Sequence, residues 1–139
     1  LNLLRKKCKF LALSITYYLN LKKRDQLVKK LSNLFILPNI VSRHAKISKH
    51  IKIGTGNQIF DDVIINAGSN IGDNCILNHK SLIEHNVLIK NNAHISTGCI
   101  INGNCIIEDN SFIGSGSILR QNIEVKKNEF IKMGSIVKK

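Results

Sequence analysis

Nine side chains of this 139-residue sequence are of types that move protons, attack carbon or bind metals near neutral pH. They are five histidines, at 44, 50, 79, 85 and 94, and four cysteines, at 8, 75, 99 and 105. Imidazole serves as general base because its ordinary pKa lies near the operating pH. A thiol serves as nucleophile or ligand only where its thiolate is stabilised. No two cysteines stand as Cys-x-x-Cys, so neither a zinc motif nor a redox motif is present. Which of the nine could work together depends on the elements that carry them.

Length and composition set the frame. The chain has one domain's worth of residues, 43% of them hydrophobic and 22% charged, with five Phe, two Tyr, no Trp and one Pro. A packed core is expected, and it must be aliphatic. The net charge of +12 is unevenly placed. Residues 1–52 hold 13 Lys or Arg against the single acid Asp25, whereas residues 53–139 hold eight of each sign. No aromatic platform or recognition motif accompanies the charge, so nucleic-acid binding is not expected; an anionic small molecule or a membrane surface both remain open for the basic segment. No apolar run approaches the roughly 18 residues that span a bilayer, so no transmembrane segment is expected. Arg5–Lys9 before Phe10–Leu19 faintly resembles a signal peptide, but no small-residue cleavage site follows. The segment reads as the cut edge of a longer chain.

The organising signal is a period of six. From Val41, every sixth residue is Ile, Leu or Val without a slip: 41, 47, 53, 59, 65, 71, 77, 83, 89, 95, 101, 107, 113, 119, 125, 131 and 137. Two residues before these lies a mostly small column that includes Ala45, Ser69, Cys75, Ser81, Ala93, Cys99, Cys105, Ser111, Ser117 and Ser135. Three residues after them, from Gly56 to Gly134, stands a column of Gly, Asn and Asp broken only by Lys80. Those residue types tolerate left-handed backbone angles, so each marks a corner between short strands. The expected fold is an all-β solenoid, a triangular parallel β-helix of hexapeptide repeats. Three hexads make a coil of 18 residues, rising about 4.8 Å by strand pairing.

The period sorts the reactive side chains. Cys75, Cys99 and Cys105 fall in the small inward slot and read as core rather than as nucleophiles. An absence of disulfides fits a reducing, cytoplasmic location. His85 and His94 point outward, on different sides of the prism, and cannot meet within one chain. One coil above His85 is Gly103 and one below is Ala67, so small residues flank it vertically. Asn78 and His94, sixteen apart, fall near one column. His79 and His85 occupy equivalent points on adjacent faces, which does not gather them around one metal ion; no metal is expected. His44, His50 and His79 read as surface residues.

Residues 1–40 follow another grammar. Ser14–Leu19 reads as a strand, Arg24–Leu31 as a short helix with Lys on its outer face, and Phe35–Leu37 as a second strand stopped at Pro38. This piece is expected to cap the first coil, as an α/β remnant (1–40) preceding the β-helix domain (41–139).

The stretch Asn70–Gly116, NIGDNCILNHKSLIEHNVLIKNNAHISTGCIINGNCIIEDNSFIGSG, resembles the hexapeptide-repeat acyltransferases. Within them it is similar to the sialic acid O-acetyltransferases and UDP-4-amino-sugar N-acetyltransferases of bacterial surface-glycan synthesis. The resemblance implies left-handed coiling, acetyl-CoA as co-substrate, a sugar or nucleotide-sugar amine or hydroxyl as acceptor, and a homotrimer with sites between subunits. Residues 1–40 would then be the end of a sugar-binding domain. By the family pattern His85 matches the catalytic base, with Asn86 and Glu84 beside it to orient the ring. His94, Gly103 and Ser115 match coenzyme contacts, and Asn78 a substrate-side position. One departure stands out: the N-acetyltransferase branch has an acidic residue where this chain has Asn86. The same solenoid also carries γ-carbonic-anhydrase-like zinc enzymes and non-catalytic trimerising proteins, which are the alternatives to acetyl transfer.

Overall fold

The computed structural model describes residues 6–13 and 21–138. Between Ile40 and Val137 the chain makes seventeen two-residue strands, one at each step of the aliphatic column. They stack as three parallel walls. The first wall comprises Ile40–Val41, Gln58–Ile59, Ile76–Leu77, His94–Ile95, Phe112–Ile113 and Phe130–Ile131. The second comprises Lys46–Ile47, Ile64–Ile65, Leu82–Ile83, Ile100–Ile101, Ile118–Leu119 and Ile136–Val137. The third comprises Lys52–Ile53, Asn70–Ile71, Leu88–Ile89, Ile106–Ile107 and Glu124–Val125. Each strand pairs with the one a coil away, so His94 stands beside Phe112 and Ile76, and Ile95 beside Ile113 and Leu77. This is a left-handed parallel β-helix of about five turns.

The corners follow the residue types. All fourteen positions of the corner column, Gly56 to Gly134, have φ between 56° and 76°. Lys80 joins the Asn, Asp and Gly residues there at φ 59°, a conformation that costs a side chain with a Cβ about 1 kcal/mol. The two corners before Gly56 use no positive φ.

The inward aliphatics from Ile59 to Leu119 are all sealed from solvent, each such burial being worth about 1.5–3 kcal/mol. The small slot proves to be a hydrogen-bonding position as well as a spacer. Ser69 Oγ donates to Glu84 O at 2.7 Å, Ser111 Oγ to Lys126 O at 2.9 Å and Ser117 Oγ to Lys132 O at 2.9 Å, each acceptor fifteen residues on. Cys75, Cys99 and Cys105 make the same bond through sulfur, to Lys90 O, Gly114 O and Arg120 O at 3.0, 3.2 and 3.1 Å. A thiol here thus replaces a hydroxyl, as well as filling space.

The helix is longer than the sequence pattern suggests. We label it α1, Leu21–Ser32. Lys29 Nζ lies 2.7 Å from Asp25 Oδ2 one turn back, and Lys29 and Lys30 fall in the last turn, where cations suit the helix dipole. Its Val28 and Leu31 are buried. Arg24 Nη1 donates to Asn74 O at 2.5 Å, and Asn92 Nδ2 donates to Asp25 Oδ1 at 2.9 Å. These bonds tie α1 to the corner column of Asn74 and Asn92 beside the first wall, whose outward residues Ile76, His94 and Phe112 are buried. The strand expected over Phe35–Leu37 is reduced to one parallel bridge, Ile36 with Phe10, because Pro38 cannot extend the ladder. The strand expected at Ser14–Leu19 lies outside the described residues.

Candidate active site

His85 stands at the corner between the second and third walls, two residues past the buried Ile83, and its side chain is exposed. Its ring lies over Gly103, one coil above. A Cβ on Gly103 would sit 2.5 Å from His85 Cε1 and 2.7 Å from Nε2. The glycine is therefore a seat for the imidazole; any larger residue would push the ring off. The backbone ties the same corner together: Asn104 N donates to His85 O at 3.1 Å, and Asn86 N to Ala67 O at 3.1 Å.

Asn86 lies beside the ring, with Nδ2 3.3 Å from His85 Nδ1. The other end of its amide, Oδ1, rests on Gly68 one coil below, where no Cβ could fit. In this orientation the amide donates to a bare Nδ1, leaving the imidazole proton on Nε2. Turned over, it accepts from an Nδ1 proton and leaves Nε2 bare. A carboxylate allows only the second arrangement. Glu84 takes no part in orienting the ring among the described hydrogen bonds: its Oε2 accepts from Asn66 Nδ2 at 3.0 Å, toward the coil below.

His94 lies on the outer side of the first wall, as its register requires, yet it is only 5% exposed. Neither ring nitrogen has a hydrogen-bond partner. Its ring meets Phe112 edge-on at 4.9 Å, and Phe112 stacks on Phe130 at 4.8 Å. Burial, and next the nearby Arg24 guanidinium, push its pKa down to about 4. Outward does not mean exposed here, and Arg24 of α1 is near enough for its charge to act on the ring.

Asn78 and Ser115 occupy the corner between the first and second walls. Asn78 Oδ1 accepts from His79 N at 2.9 Å and lies 2.8 Å from His79 Nδ1. His79 stacks on Phe60 at 5.0 Å, with Nε2 4.0 Å from Asp61 Oδ2. Ser115 is exposed two coils above His79 in the same column. Within one chain, then, His85, Asn86 and Gly103 form one group, Asn78 and Ser115 share another edge, and His94 is buried in the middle of the first wall. Gly68, Phe60 and Asp61 escaped the sequence reading. The signal that finds them is subtraction of one coil: 86 to 68, 78 to 60, 79 to 61. Among the described residues, no group of three His, Cys, Asp or Glu is placed to hold a metal ion.

The chain matches the bacterial transferase hexapeptide (six repeats) family over residues 86–121. No curated protein matches it. Among solved structures it is similar to the acetyltransferase domain of PglB from Neisseria gonorrhoeae FA1090, at 30% identity and TM-score 0.80 over 83% of this chain and 57% of that one. The same domain in complex with acetyl coenzyme A matches at 26% identity and TM-score 0.90, over 98% of this chain and 67% of that one. WeeI from Acinetobacter baumannii AYE shares the fold, at 23% identity and TM-score 0.82 over 94% of this chain and 63% of that one. The chain is thus similar to the hexapeptide-repeat acyltransferases, and it spans 57 to 67% of the length of the PglB domain.

Proposed function

We propose that this chain transfers an acetyl group from acetyl-CoA to an amine or hydroxyl of a sugar or nucleotide sugar, in the cytoplasmic stage of surface-glycan assembly. The observation that carries the reading is the exposed His85 imidazole seated on Gly103, with an amide at Nδ1. Such a ring presents Nε2 to whatever lies along the corner. With the Asn86 amide turned to accept from Nδ1–H, Nε2 takes the proton of the acceptor's amine or hydroxyl as that group attacks the thioester carbonyl. The C–N or C–O bond forms, the C–S bond breaks, and the proton passes on to the departing thiolate. Support for acetyl-CoA as donor comes from the PglB domain, whose structure was solved with it.

We further propose a homotrimer, with the site between subunits: His85 and Asn86 from one copy face Asn78, His94, Gly103 and Ser115 drawn from two. The outer face of the second wall supports this assembly. It carries an aliphatic ladder, Ile64, Leu82, Ile100, Ile118 and Ile136, none of which is buried within the chain. For coenzyme to reach His94, the buried face of the first wall must be uncovered in the assembled enzyme. Residues 1–40 we read as the end of a sugar-binding unit.

The test is acetyl transfer to a panel of amino-sugar nucleotides, with melting measured alongside. Acetyl-CoA at a hundred times its Kd raises stability by about 2.7 kcal/mol, and His85→Ala abolishes turnover while leaving the melt unchanged. Unchanged turnover in that variant overturns the assignment of the base; absence of any shift with acetyl-CoA overturns the donor.

A further inference from the structure

The two ends of the solenoid carry different charge. In the first coil, Arg43, Lys46, Lys49 and Lys52 follow one another at every third residue, and all four are exposed. No acidic residue stands between Asp25 and Asp61, and among the described residues no ion pair involves any of the four. The C-terminal coil instead mixes its signs: Lys126 lies 2.7 Å from Glu124, and Lys127 lies 3.5 Å from Asp109. From the first coil's register we propose that the N-terminal end of the solenoid is a docking surface for a bilayer of anionic lipids. This inference stands apart from acetyl transfer, since it uses none of the candidate site residues.

Geometry selects the kind of partner. Arg43 and Lys49 sit at two successive corners, and Lys46 and Lys52 on the edge strands of the second and third walls. The four cations therefore spread around two sides of one coil. Such a ring cannot converge on a single phosphate or diphosphate, but it can lie flat against an extended anionic plane. Lysines on edge strands also block end-to-end stacking of copies, which a ring of one sign does strongly. A second copy of this end is thus excluded as occupant by like charge.

The same end exposes apolar side chains. Phe10, Ile36, Ile40 and Val41 are between 45 and 59% exposed, and the bridge between Phe10 and Ile36 holds two of them side by side. Exposed Lys6, Lys7 and Lys9 flank Phe10. Apolar groups amid unpaired cations suit the interface of a bilayer, where the former enter the headgroup layer and the latter meet lipid charge. Nucleic acid would use the cations but leave the apolar group without a role.

Vesicle sedimentation tests the surface. The chain pellets with vesicles of equal parts phosphatidylcholine and phosphatidylglycerol, and not with phosphatidylcholine alone. Lys46→Gln/Lys49→Gln/Lys52→Gln lowers the partition coefficient about a hundredfold, at roughly fivefold per cation. Arg120→Gln/Lys132→Gln/Lys138→Gln, which removes the same charge from the far end, leaves it unchanged. Phe10→Ser lowers the binding that persists in high salt by about tenfold. Equal binding to both vesicle types, equal loss in the two triple variants, or displacement of vesicles by duplex DNA would overturn the proposal, the last by making this end a nucleic-acid face. Melting curves for each variant confirm that the solenoid is intact.

Discussion

His85 and His94 stand half a coil apart on one solenoid, and their surroundings are opposite. His85 sits on a corner, open to solvent, over a glycine. His94 sits mid-wall, between Ile76 and Phe112 in its sheet, buried, with neither nitrogen partnered among the described residues. The repeat treats both positions alike, as outward-facing; what separates them is a segment that does not belong to the repeat. An outward position on a solenoid becomes a reactive site or a packing site according to what the rest of the chain lays over it.

The strongest way to break this comparison is to remove each ring. His85→Ala is expected to lower acetyl transfer by about a thousandfold or more, with no change in melting temperature; a large drop in stability would mean that the corner ring is structural. For His94 the effect is on stability and depends on pH. Its folded pKa lies at about 4, below the ordinary 6.5, so the folded state holds it neutral while the unfolded chain takes up the proton. Its stabilisation is complete above 6.5 and is lost as pH falls toward about 4, up to about 3 kcal/mol. Urea titrations of the wild type and His94→Leu between those pH values should diverge at acid pH, the wild type losing stability that the variant keeps; parallel curves would show that the ring is accessible after all.

Smaller changes sharpen the contrast. Gly103→Ala places a Cβ 2.5 Å from His85 Cε1. Because the ring is exposed it can swing away, so stability changes by well under 1 kcal/mol while turnover falls about tenfold through misplacement of the base. Equal loss of both would make the glycine a backbone requirement only. Smallest is Asn86→Asp. A carboxylate fixes the proton on Nδ1 and bares Nε2, so turnover should rise about threefold and the acid limb of its pH profile shift upward. No change would mean that the amide already holds the ring in the required tautomer.

Most of the solenoid could be read before any coordinates existed, because its information is local and repeated. The column from Val41 to Val137 coincides with the seventeen strands, and the corner column from Gly56 with the positive φ angles. The pairing of His85 with Gly103 also follows from counting one coil. The burial of His94 does not, and neither does the docking of α1, whose contacts such as Asn92 with Asp25, 67 residues apart, join parts with different periods. Nor does composition say that the slot cysteines donate to carbonyls; that emerges only when the corner of the next coil is seen above them.

Each coil touches only the coils above and below it, so opening must begin at the rims and travel inward one layer at a time. The strand before His85, Leu82–Ile83, has three strands on one side and two on the other in the order of the second wall. The corner that carries His85 thus sits in the last part of the molecule to fray. Amide hydrogen exchange should be slowest around residues 76–107 and fastest at the two ends, and a chain so arranged would lose its margins to heat well before the corner that carries His85.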